Sequence, residues 1–159
     1  MKFDDNYYGH WKTHSECKCT LDKKIVINIR WIEVPMTDGT TEGWLNFGRT
    51  VIRLATAGIS ELATGSNGNI THEAIECQYH CSECGSTGYY TFDYSNTGKR
   101  ARCGAYQTKS NCVASQVGER SLYQIKNIWS TTWPNDNKHT YSILYHNCKG
   151  FAKAMWTNI

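Results

Sequence analysis

Polar and apolar positions alternate along residues 24–34. Ile25, Ile27, Ile29 and Trp31 fall to one side; Val26, Ile32 and Val34 fall to the other, with Asn28 and Arg30 among them. β-Branched residues dominate, so the stretch predicts a strand largely buried in a pleated sheet. Residues 35–40 supply turn chemistry around Pro35, Asp38 and Gly39. Residues 44–55 read as a second strand, and the two together predict a hairpin. Tyr89, Tyr90, Thr91, Phe92, Asp93 and Tyr94 alternate as another strand, closed by a turn over residues 95–98. Residues 1–20, 58–69 and 111–116 read as irregular or loop.

Helical spacing appears twice. Residues 118–130 place Leu122, Ile125, Ile128 and Trp129 along one side. The last segment begins as a strand, with Tyr141, Ile143 and Tyr145 on one side, and then changes period. Cys148, Phe151, Ala152, Met155 and Trp156 stand at the positions of one helix face. Asn147 sits where an N-cap belongs, so Cys148 becomes the first helical residue. The positive end of the helix dipole there favours a thiolate. A buried thiol that only packs is the competing reading of the same position. The patterns together predict an α+β fold: an antiparallel sheet packed with a C-terminal helix that bears Cys148.

Composition narrows the class. The 159 residues suit one domain spanning 1–159, and 40% hydrophobic with 13% aromatic content describes a globular chain. A net charge of +3 gives no reason to expect nucleic acid as a partner. No apolar run approaches the roughly eighteen residues of a membrane span. The first residues, Met1 to Asn6, hold no apolar stretch, so no signal peptide is expected and the cytoplasm is the expected compartment. Secretion is the alternative if a signal has been removed; the acceptor pattern Asn69-Ile70-Thr71 would matter only then.

Eight cysteines change the picture most. Cys81-Ser82-Glu83-Cys84-Gly85 has the shape of a zinc knuckle, and Cys103 returns after a hairpin-like stretch. A tetrahedral site needs four N or S ligands. Cys81, Cys84 and Cys103 supply three, with Cys77 expected as the fourth and His80 as its substitute. Residues 72–113 would then form a cysteine-rich insertion, ribbon-like if it holds structural zinc. Disulfides among Cys77, Cys81, Cys84, Cys103 and Cys112 are the rival, and a redox pair at Cys81 and Cys84 a further option. Cys17 and Cys19 are too close for an easy mutual disulfide; they can pair elsewhere, add to a metal site, or remain ordinary thiols.

The string Tyr141-x-Ile143-Leu144-x-His146-Asn147-Cys148-Lys149-x-Phe151-Ala152 resembles the helix start of the permuted papain-like cysteine proteins. These include the NlpC/P60-like lecithin:retinol acyltransferase group and the PPPDE isopeptidase group. The resemblance implies a papain-like domain in which Cys148 is the nucleophile and a catalytic His lies upstream, at the start of a strand reading His-x-Gly. The matching residues here are Asn46-Phe47-Gly48, so Asn46 occupies the His position. Asn cannot take a proton from a thiol near neutral pH. His146, two residues before Cys148, is the expected base, with His139 and His72 as other candidates. The implied function is a thiol-dependent hydrolase or acyltransferase working through a Cys148 thioester on a peptide, isopeptide or acyl-lipid substrate. Its alternative is a catalytically inactive papain-like binding or structural module with a zinc-stabilised insertion.

Overall fold

The computed structural model describes residues 11–13, 17–35, 71–95, 98–107, 110–136 and 147–159. The expected strand over residues 44–55 and the strand leading into Asn147 lie outside these residues. The described strands are β1 (Trp11–Thr13), β2 (Lys24–Pro35), β3 (Thr71–Cys81), β4 (Thr87–Ser95), β5 (Gly98–Tyr106) and β6 (Asn111–Val117). They form one six-stranded sheet in the order β1-β5-β4-β3-β2-β6. Every pairing is antiparallel. Two helices follow, α1 (Leu122–Thr131) and α2 (Cys148–Asn158). The α+β class and the C-terminal Cys-bearing helix are as the periodicity predicts. None of the described helices is long and apolar enough to cross a membrane.

Three features differ from the sequence reading. Residues 72–113 supply β3, β4, β5 and the start of β6, so they run through the middle of the sheet instead of standing apart as an insertion. Residues 111–117 are the edge strand β6, not a loop. Only one long side of β6 is paired among the described residues, and Val113 and Val117 are exposed, so burial imposes no apolar alternation on it. Trp11–Thr13, expected in an irregular arm, pairs with β5.

β2 contains an irregularity between Val26 and Asn28. The extra residue shifts the alternation, as a β-bulge does. Val26, Ile29 and Trp31 therefore share a face, while Ile27 is left exposed.

That face carries the core. Val26, Ile29, Ile75, Cys77, Tyr79, Phe92 and Tyr94 pack with Leu122, Ile125, Phe151, Ala152 and Met155. Burying a side chain such as Phe151 or Met155 stabilises the fold by about 1.5–3 kcal/mol. Aromatic pairs tie the helices down: Tyr94 lies 5.7 Å and Trp133 5.6 Å from Phe151, ring centre to ring centre.

α1 starts later than its apolar spacing suggests, because its cap lies at Ser121. The Gln124 amide donates to Ser121 Oγ (3.3 Å), and the Ser121 amide donates to Gln124 Oε1 (3.0 Å). This reciprocal capping box satisfies two free amides. At the far end, Lys99 Nζ donates to the carbonyls of Thr132 (2.7 Å) and Ser130 (3.2 Å), placing a cation at the negative helix end.

Candidate functional site

Cys17 and Cys19 precede a single 3-10 turn, Leu21–Lys23. Cys81 ends β3, and Cys84 stands in the turn that follows. The pairing of Lys24 with Cys81 brings the first segment onto this turn. Ser82 secures it, its amide and hydroxyl donating to the Lys23 carbonyl at 2.8 and 3.1 Å. Lys24 Nζ donates to the Cys17 carbonyl at 3.1 Å. Gly85 adopts φ +76, which an L side chain rarely tolerates, and its amide donates to the Cys81 carbonyl at 2.9 Å.

The result is a compact group of four thiols. The sulfurs of Cys17, Cys19, Cys81 and Cys84 all lie within 4.8 Å of one another. Cys84 Sγ is 3.6 Å from Cys17 Sγ. Four sulfurs about 2.3 Å from one tetrahedral ion sit about 3.8 Å apart, so the group is near enough to hold a metal. All eight cysteines are free thiols. Burial and neighbouring sulfurs push Cys19 up to about 12. Hydrogen bonds from Ser86 bring exposed Cys84 down to about 6. Four adjacent thiolates repel without a cation between them, and a divalent ion supplies that charge.

The structure brings together two of the four expected ligands. Cys81 and Cys84 belong to the group; Cys77 and Cys103 do not. Cys77 lies four residues before Cys81 on β3, about 13 Å along an extended strand, too far to share an ion. Cys77 and Cys103 also sit on either side of Tyr90, in a row across three strands. Cys77 is fully buried in the core, where burial raises its thiol, and Cys103 lies beside Tyr79. His80 and Cys112 are exposed and outside the group. The other two members are Cys17 and Cys19, for which the sequence left a metal site as one option among three. Their Cys-x-Cys spacing offers two sulfurs to one centre, but only the β2–β3 pairing reveals which centre.

The second site is the start of α2. Asn147 caps it: Oδ1 accepts from the Gly150 amide at 3.0 Å. Cys148 is the first helical residue and is 2% exposed. Its Sγ lies 3.9 Å from the carbonyl oxygen of Thr71, the first residue of β3. His146, His139 and Asn46 lie outside the described residues.

Two titratable groups follow Thr71. Strand alternation turns Glu73 to the face that α2 covers and His72 to the other. Glu73 is 1% exposed. Its Oε2 accepts from Trp31 Nε1 at 2.6 Å, and its Oε1 has no hydrogen-bond partner among the described residues. Burial pushes Glu73 up to about 7 against the opposing pull of Trp31 and Lys149. Glu33, directly opposite on β2, adds to the rise.

His72 belongs to a buried polar network on the opposite face. Its Nε2 lies 2.7 Å from Asp93 Oδ2. Arg100 donates to both Asp93 oxygens at 2.8 Å, and the Tyr106 hydroxyl donates to Oδ2 as well. Burial lowers the pKa of His72, more than the Asp93 carboxylate raises it. Burial works to raise Asp93, but Arg100 and His72 hold it well below the usual carboxylate range. Comparison with protein-family models, with curated proteins and with solved structures finds no match.

Proposed function

We propose that the chain is a thiol-dependent hydrolase or acyltransferase with Cys148 as nucleophile. The observation that carries this reading is the capped start of α2, which sets a thiol at the positive end of a helix against the start of β3, the strand that carries the buried carboxyl group of Glu73. The Cys148 thiolate attacks a substrate carbonyl carbon, forming a C–S bond. The leaving alcohol or amine departs with a proton, and water or a second acceptor then cleaves the thioester. Backbone amides of the first turn stabilise the oxyanion.

Glu73 is the base on the face of β3 that α2 covers, and a carboxyl raised to about 7 is matched to proton transfer near neutral pH. His72, expected from the sequence as another candidate, points to the opposite face of the sheet, where Asp93 holds it away from α2. The substrate class is an acyl compound: peptide, isopeptide or ester.

A second reading has one observation in its favour. Cys148 is 2% exposed, as a packing thiol would be, which suits a catalytically silent binding or structural module.

The metal in the four-thiol group is zinc in either reading. Thiolate ligands and tetrahedral spacing favour it, and such a site contributes folding free energy directly. Native mass spectrometry is expected to find one zinc per chain; masses lower by two hydrogens per cysteine pair and no metal overturn the assignment.

The test of function is acylation by an activated ester, followed by mass spectrometry across pH 5–9. Wild type should acylate at Cys148, and Cys148→Ala should not. General-base assistance is worth roughly a hundredfold, so Glu73→Gln should slow acylation about that much and flatten its pH profile. Acylation of Glu73→Gln at the wild-type rate removes Glu73 from the role. No acylation of folded wild type at any pH refutes the enzyme and leaves the silent module.

A further inference from the structure

The sheet face away from the helices carries a cleft of about 340 Å³ lined by Lys12, Arg30, Glu76, Tyr89 and residues 105–107. That volume is within the range of small-ligand sites.

Arg30 is its distinctive residue. The Nε and Nη2 donors of Arg30 both go to one oxygen of Glu76, Oε1, at 3.1 and 2.6 Å. The Glu76 side chain is 5% exposed and that of Arg30 37%. A guanidinium is planar and rigid, so a carboxylate on its Nε–Nη2 edge fixes the plane and leaves the Nη1–Nη2 edge aimed elsewhere. Arg30 is thus held in one plane by a largely buried acid that lines the cleft with it.

The surroundings add to this. Tyr106 is immobilised: its hydroxyl donates to Asp93 and accepts from Arg102 Nη2 at 2.9 Å. Arg102 stacks 3.8 Å from the Trp11 ring centre. Among the lining residues, Lys12 and Arg30 against Glu76 leave an excess of one positive charge.

We infer that this cleft binds a small organic anion, whose carboxylate or phosphate group pairs with the outer edge of Arg30 while an apolar body lies against Tyr89 and Tyr106. The inference concerns the opposite face of the sheet from α2 and rests on no chemistry of Cys148.

The test is calorimetric and NMR titration of the metal-loaded full chain with benzoate, phenyl phosphate and benzamide. One of the two anions should bind, and the tighter identifies the anion class. The neutral benzamide should not. Arg30→Lys keeps the charge but loses the fork, and should weaken binding about tenfold. Arg30→Gln should weaken it further. Should Arg30→Gln unfold because Glu76 is left unpaired, Arg30→Lys and Lys12→Gln still report. Benzamide binding as tightly as benzoate, neither anion binding, or a folded Arg30→Lys that binds like wild type overturns the inference.

Discussion

Replacing Glu73 by Gln should stabilise the protein, and only at high pH. Glu73 is raised from an ordinary 4.5 to about 7. That difference, at 1.36 kcal/mol per unit, corresponds to about 3 kcal/mol of stability. The sign follows from which state holds the proton. Below about 4.5 the carboxyl is protonated in both states and nothing is lost. Between the two values the unfolded chain ionises and the folded chain does not, so stability falls as pH rises toward 7. Above 7 the full loss is in force. Gln carries no charge, and its amide oxygen can still accept from Trp31 Nε1, now 2.6 Å from Glu73. Urea unfolding should therefore find Glu73→Gln more stable by up to about 3 kcal/mol at pH 8, with the gap below about 1 kcal/mol at pH 5. The pull of Lys149 toward the charged form is already contained in this net rise. A variant equally destabilised at both pH values would refute the reasoning: Glu73 would then be a carboxylate held by its partners.

Two further outcomes test the same framework. Asn147→Ala removes the Oδ1 acceptor of the Gly150 amide and should lower stability by about 1 kcal/mol in a thermal melt, with Asn147→Asp restoring it. Asp93→Asn leaves Arg100 and Arg102 facing a neutral group and should cost about 3–5 kcal/mol at pH 7. Because Asp93 is held below its ordinary 3.8, its contribution in wild type is present above that value and lost as pH falls below it. The stability gap between wild type and Asp93→Asn, read by urea titration, should accordingly narrow below about pH 4.

Legibility followed burial. The start of α2 is readable to the residue because five positions of the helix face the core and its cap is a side chain with one obvious job. β2 was readable as a strand, yet its faces were not, because an irregularity at Val26 leaves no mark in a run of β-branched residues. β6 was invisible for the opposite reason: Asn111-Cys112-Val113-Ala114-Ser115-Gln116-Val117 is an edge strand with mostly exposed side chains, held to β2 by backbone pairing. The knuckle at Cys81 and Cys84 is local and could be read. Its partners are set by strand pairing, which no short-range spacing encodes. The buried row of His72, Asp93 and Arg100 was equally hidden, since its members meet across three strands.

The placement of the metal group bears on both candidate sites. Cys17 and Cys19 come from a segment anchored by the Lys24 ammonium on the Cys17 carbonyl, the Ser82 contacts to Lys23 and Leu21 packed against the core. An ion shared with Cys81 and Cys84 would fix the start of β2 against the end of β3, the longest pairing in the sheet. Those two strands present the candidate residues of both faces. Glu73 and Trp31 meet on the helix side, and Arg30 and Glu76 meet on the cleft side. Both contacts join residues that are cross-strand neighbours or nearly so, and a one-residue slip would send each side chain to the wrong face. A metal at one end of the pair would hold the register for both. The four-thiol group would then act at a distance, through the alignment on which the buried Glu73 carboxyl and the guanidinium in the cleft each depend.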